Sequence, residues 1–157
     1  MSAQEALTFL HVLGSFWYVI GLTAVQISLV RAYQREDLKT RVDSIEEASH
    51  YQGILLVPGA IAAISSGVFL WALDYNLITT PWLVVLEVLF AVTLLVCLPL
   101  TGTGIRRARI AALRARRAGK STPELDAAMT DGVPLVVMGL ATALVPAAVA
   151  LSVFKPF

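Results

Sequence analysis

The stretch LTFLHVLGSFWYVIGLTAVQISLV, residues 7–30, carries no charged side chain apart from the titratable His11. At ~1.5 Å per residue, a helix of this length covers the ~30 Å hydrocarbon core of a bilayer, so it reads as a transmembrane span. With steps of ~100° per residue, Thr8, His11, Ser15, Tyr18 and Gln26 fall on one side of that helix, with Gly14 and Val25 at the edge. Polar groups are costly against lipid, so the stripe should face other helices or a cavity. It serves either as interhelical hydrogen bonding that orients a bundle or as a ligand or proton site.

Three further apolar segments follow, and the expected spans are residues 7–30, 51–73, 82–101 and 133–154. The chain has 157 residues, 57 % of them hydrophobic and 15 % charged. The charges cluster between the apolar segments, whereas soluble helices carry a polar face along their length. The expected fold is therefore all-α, an antiparallel four-helix transmembrane bundle forming a single integral membrane domain.

Basic residues alternate with the spans. Arg31, Arg35, Lys39 and Arg41 follow the first span, and Arg106, Arg107, Arg109, Arg114, Arg116, Arg117 and Lys120 follow the third. Residues 1–5 and the connection after the second span have none, and the C-terminus has only Lys155. The positive-inside rule places both basic connections in the cytoplasm and both termini outside a bacterial inner membrane. The start of the chain lacks a basic n-region, and its apolar run is too long for a cleaved signal peptide. The same topology accounts for the arginine cluster, so no nucleic-acid partner is expected; the expected partners are the lipid bilayer and other membrane subunits, a second copy included.

The first helix should continue through Tyr33 and turn near residues 36–40. A second helix should begin at Ser44-Ile45-Glu46-Glu47, which fits a capping box with Glu47 reaching back. Within the second span, Pro58 frees a carbonyl for a neighbouring helix to satisfy, and Gly59, Ala63 and Gly67 form a line of small residues that admits a close backbone. Trp71, Tyr75 and Trp82 stand at interface level around a short outer turn. Pro99 lies near the inner end of the third span, and Gly102 and Gly104 should loosen its exit. Ser121-Thr122-Pro123-Glu124 reads as a fresh helix start. In the last span, with Pro146 as an expected kink, Gly139, Ala143 and Ala147 repeat the small-residue spacing, and this line should pack near that of the second span.

Glu87 is the acidic residue well inside a span, six positions after Pro81, and His11 lies four positions after Leu7. Both sit roughly 8 Å or less below the outer ends of their helices at ~1.5 Å per residue. An intramembrane carboxyl finds a partner or remains protonated. The expectation is a contact between His11 and Glu87, direct or through water, with a neutral Glu87 bonded to a carbonyl, Ser or Thr as the alternative. His50 is on the order of 25 Å from His11 along the membrane normal, so the two cannot ligate one iron; Glu46, Glu47 or headgroups are its expected partners. Ser65-Ser66 reads as a packing feature, and the lone Cys97 as a small buried side chain.

Leu10-His11-Val12-Leu13 followed by Tyr18-Val19-Ile20-Gly21-Leu22 resembles the first helix of the copper-resistance D-type proteins and the bacterial protoporphyrinogen oxidase. It also resembles an uncharacterised family of predicted integral membrane proteins, and that likeness covers most of the chain, including Pro58-Gly59 and Ser66-Gly67. In the first two families an aromatic, usually Trp, stands at the position of Tyr18 and glycines stand near Ile20 and Gly21; this chain departs at Tyr18 and Ile20. The resemblance implies that His11 is a haem or metal ligand near the outer face, with Glu87, a Met or a partner subunit as the second.

Three functions are weighed from these residues. The first is a non-catalytic integral membrane protein, an accessory or structural subunit packing against other membrane helices, with no catalytic residues and no cofactor. The second is a haem- or metal-linked, proton-coupled redox protein using His11 and Glu87. The third is a small transporter, for which broken helices around a midplane site are the signature, with Pro58 and Pro146 as its support.

Overall fold

The computed structural model describes residues 2–74 and 80–155. Its helices are α1 (Ala3–Gln34), α2 (Leu38–Tyr51), α3 (Val57–Asp74), α4 (Pro81–Val92), α5 (Leu98–Ala118), α6 (Pro123–Thr130) and α7 (Val133–Phe154). Single π-helical turns at Gln52–Leu56 and Thr93–Cys97 join α2 to α3 and α4 to α5 without a break. Four helical rods are thus long and apolar enough to cross a membrane: Ala3–Gln34, Leu38–Leu73, Pro81–Ala118 and Pro123–Phe154. Among the described residues there is no strand. The four-helix, all-α expectation holds, while Tyr75 and the turn it belongs to lie outside the described residues.

Local chemistry sets the helix ends. Ser2 caps α1 with a full capping box, its hydroxyl accepting from the Glu5 N–H at 3.2 Å while Glu5 accepts from the Ser2 N–H at 2.8 Å. The start of α2 corrects the sequence reading. Asp37, not Ser44, caps the helix by accepting from the Thr40 N–H at 2.9 Å. Ser44 sits buried inside α2 beside Val42, Ile45 and Ala48, and Glu47 pairs with Arg31 instead of reaching back. Both residues suit a cap, but the backbone is extended at Asp37, whereas Ser44 lies within the helix. Thr122 caps α6 with Pro123 at its first turn, as the sequence suggested.

Each π turn stands just ahead of a proline, Pro58 or Pro99. Proline has no N–H and crowds the carbonyl four residues back, and a widened turn relieves that crowding. The carbonyl that Pro58 leaves over belongs to Ile54, and the Trp17 indole of α1 donates to it at 3.2 Å. Neither Pro58 nor Pro146 breaks its rod.

The tightest packing is the crossing of α1 and α3. A Cβ on Gly14 would come within 2.7 Å of the Ala63 nitrogen, and one on Gly21 within 2.5 Å of the Leu56 nitrogen. A Cβ on Gly59 would strike the Tyr18 backbone. Glycine here gives room rather than flexibility, and backbones in contact gain dispersion along the whole crossing. The small-residue line Gly59, Ala63, Gly67 therefore packs on α1, not on the last span as the sequence reading expected. Ala143 and Ala147 of α7 are exposed on this chain, and Gly139 approaches the Gln26 side chain instead. Gln26 ties α1 to α7, accepting from the Thr142 hydroxyl at 2.6 Å.

Two cores result. One lies among the spans, around Leu22, Val25, Leu29, Leu56, Ile105 and Met138. The second joins the basic ends of the rods through Ala32, Val42, Ile45, Ala108, Ala112, Ala115 and Leu125. Across its rim run Arg31 to Glu47 at 3.1 Å, Arg116 to Glu46 at 2.8 Å and Arg41 to Asp126 at 3.7 Å. Gly102 and Gly104 do not loosen the exit from the third span. The helix runs straight through them, and they make room for Gln52 and Pro134. Large apolar side chains cover the outside of the spans, Leu95 at 71 % and Phe154 at 77 % exposure among them. Such a surface is stable only against lipid or other membrane helices.

Candidate functional site

The close α1–α3 crossing positions His11. Its Nδ1 lies 2.8 Å from the Ala63 carbonyl oxygen, with the Ser66 hydroxyl at 3.4 Å. A carbonyl only accepts, so Nδ1 carries the proton in this bond. In the neutral form of the ring that bond leaves the lone pair on Nε2, which bonds to no protein group among the described residues. Gly67 makes this seat, since a Cβ there would lie 3.1 Å from the ring carbon Cε1. Ser66 is buried and its own hydroxyl donates back to the Ala62 carbonyl, whereas Ser65 is exposed on the outside of the bundle.

His11 faces the gap that α4 and α7 leave beside the α1–α3 pair. Two cavities meet there and share His11, Ala63, Leu86, Phe90 and Ser152 as walls. The mid-span cavity, about 160 Å³, adds Ser15, Tyr18, Thr93 and an apolar wall of α7. The other, about 280 Å³, opens toward the aromatic end of the bundle and adds Trp71, Trp82, Glu87 and Lys155. Tyr18 is 6 % exposed, and its hydroxyl is buried without a hydrogen-bond partner. The Trp71 indole N–H is likewise buried and unpartnered. Buried polar groups are ordinarily satisfied by protein or water, and each of the two adjoining cavities has one such group without a protein partner on its wall.

His11 and Glu87 therefore share a chamber wall, as their depths in the sequence suggested, but no direct hydrogen bond or ion pair joins them among the described residues. The Ala63 carbonyl takes the imidazole N–H instead. Of the rest of the stripe, Ser15 donates to the His11 carbonyl at 2.7 Å, Tyr18 lines the chamber, and Gln26 lies beyond it on the tie to α7. Thr8 is exposed and donates to the Gln4 carbonyl. His50 meets neither glutamate, both being engaged by arginines, and its ring lies 5.9 Å from that of Tyr51.

Lys155 and Trp82, which the sequence marks only as a terminal charge and an interface aromatic, also line the site. The Lys155 ammonium lies 5.3 Å from the centre of the Trp82 ring, a cation–π distance. The signal was there in part. In an antiparallel bundle the end of the fourth span and the start of the third come level, so a lysine at 155, just past the one, and a tryptophan at 82, opening the other, share one rim.

Among the described residues no group of three or more His, Cys, Asp or Glu side chains converges as a metal site would require. A single axial ligand is a lesser demand. A histidine whose Nδ1–H is fixed by a carbonyl offers Nε2 in the way that metal-bound histidines do.

No curated protein and no solved structure matches the chain significantly. The likeness of the first helix to the copper-resistance D-type proteins and the protoporphyrinogen oxidase thus rests on the quoted residues alone. A family description, predicted integral membrane protein (DUF2269), matches residues 5–156. With four membrane-length rods and nearly its whole length matched, the chain belongs to the DUF2269 family of predicted integral membrane proteins.

Proposed function

We propose that this protein is a non-catalytic subunit of the bacterial inner membrane that holds a small ligand in the chamber between its helices, with His11, Tyr18 and Glu87 as the contacting residues. The observation that carries this reading is the Tyr18 hydroxyl, buried without a partner on the same wall to which His11 presents Nε2. Positive-inside topology supports cytoplasmic placement of the second core, with both termini outside, so that the chamber opens toward the exterior. The exposed Ala143 and Ala147, with Gly139 one turn earlier, give another membrane helix a close approach, in keeping with an accessory role.

The test is native mass spectrometry on protein extracted gently from its own membrane. Wild type should retain a noncovalent small molecule that His11→Ala loses. A wild-type mass equal to that of the bare chain, or bound lipid that His11→Ala retains unchanged, contradicts the reading. The fixed Nδ1–H of His11 specifically favours a second reading, a haem or metal group bound at Nε2 with Glu87 nearby. An absorption spectrum of the same preparation decides it, because a Soret band lost in His11→Ala establishes haem and a colourless protein excludes it.

A further inference from the structure

The hydrogen bonds of the chamber wall can be counted one by one, and the count describes the missing molecule. Ser15 has spent its hydroxyl hydrogen on the His11 carbonyl, Thr93 on the Leu89 carbonyl at 2.9 Å and Ser152 on the Val149 carbonyl at 2.9 Å. His11 has spent Nδ1–H on Ala63. These four groups can now only accept. Glu87 adds two carboxyl oxygens at the aromatic end. Three groups still have hydrogens to give: the unpartnered Tyr18 hydroxyl at mid-span and, at the same end as Glu87, the unpartnered Trp71 indole N–H and the Lys155 ammonium, the latter already resting on Trp82. The mid-span cavity is walled by Leu86, Leu89, Leu144 and Val145.

We infer that the chamber binds a zwitterion with an apolar body: a primary ammonium and an anionic group joined by a short spacer. The ammonium meets Glu87, His11 Nε2 and the Ser152 oxygen. The anion meets Lys155 and the Trp71 N–H, and the apolar part enters the mid-span cavity against the Tyr18 ring, with a water between the Tyr18 hydroxyl and the oxygens of Ser15 and Thr93. One acid and one base on a single wall leave a bound zwitterion with its charges matched; an amine or an acid alone leaves either Lys155 or Glu87 without a counterpart. A free apolar amino acid and the headgroup of phosphatidylethanolamine share this chemistry.

This inference rests on the ligand-holding reading, and the test separates the two. Purified protein in phosphatidylcholine nanodiscs is titrated calorimetrically with leucine, with isopentylamine, which lacks the carboxylate, and with 4-methylvalerate, which lacks the amine. Leucine should bind about tenfold or more tightly than either, the worth of one charge-assisted hydrogen-bond set. Glu87→Gln should abolish the preference over 4-methylvalerate, and Lys155→Ala the preference over isopentylamine. Should leucine fail in phosphatidylcholine, the same protein in discs containing phosphatidylethanolamine should retain that lipid on native mass spectrometry, and Glu87→Gln should release it. Equal binding of leucine and either truncated compound overturns the zwitterion, as does the absence of both leucine binding and selective lipid retention. The holding of some other molecule by wild type, seen as a retained mass lost in His11→Ala, then still stands.

Discussion

The indole N–H of Trp17 donates to the carbonyl of Ile54 at 3.2 Å, and Ile54 is the residue whose carbonyl Pro58, four positions on, cannot serve. A defect in one rod is thereby repaired by a side chain of another, which fixes α1 against the second rod in register as well as in proximity.

Trp17→Phe keeps an aromatic ring and removes the donor, so it should lower stability in detergent by about 1–2 kcal/mol, the cost of an unsatisfied carbonyl on the apolar outside of a span. Pro58→Ala restores an N–H for Ile54. In that background Trp17→Phe should cost measurably less, and a double-mutant cycle from thermal unfolding reads the coupling. Additive effects would show that the indole bond does not answer the proline.

Gly59→Ala places a methyl against the Tyr18 backbone, which cannot rotate away. The expected loss is about 1–3 kcal/mol as the crossing is forced apart, with Gly53→Ala as the control. A Cβ at Gly53 meets nothing within 4 Å, so that variant should unfold at or above the wild-type temperature.

Leu125 is fully buried where α6 closes the second core. Leu125→Ala should cost about 2–5 kcal/mol, and limited proteolysis should then cut between α5 and α6 before the spans are touched. Simultaneous loss of the spans would mean that the two cores unfold as one.

Asp37 provides a pH-dependent contribution. Hydrogen bonds from the Thr40 side chain and backbone hold its carboxyl below the usual range. A group depressed in the folded state contributes stability that is fully present above its unfolded pKa and lost as pH falls through the folded one. The gap in unfolding temperature between wild type and Asp37→Ala should therefore be constant near neutrality and close on acidification below the ordinary carboxylate range. A gap that does not change with pH contradicts the cap.

Residues 7–30 and the alternation of arginines made the four rods legible, because hydrocarbon thickness leaves few alternatives to a long uncharged helix. That His11 and Glu87 line one cavity was legible from the fixed rise per residue, whereas the direct contact expected between them is not made among the described residues. Which helix would meet Gly59 was not, since a line of small residues marks a close approach without naming its partner. Gly14 and Gly21 supply the other half of that crossing and look unremarkable within an apolar run. The bond from His11 to Ala63 had no sequence signal at all, because every residue has a carbonyl and only the crossing selects this one. Asp37 and Ser44 were both fit to start a helix. Ser44 shares the apolar stripe of Val42, Ile45 and Ala48, which in retrospect puts it inside the helix.

The central claim is that the α1–α3 crossing locks the His11 ring so that Nε2, stripped of its proton, faces the chamber. Nitrogen-15 NMR of histidine-labelled protein in a His50→Gln background, which leaves His11 as the sole histidine, measures this directly at neutral pH. The expected spectrum is a single neutral tautomer with the proton on Nδ1 and a bare Nε2. A ring protonated at Nε2, or one exchanging between the two tautomers, would contradict the account.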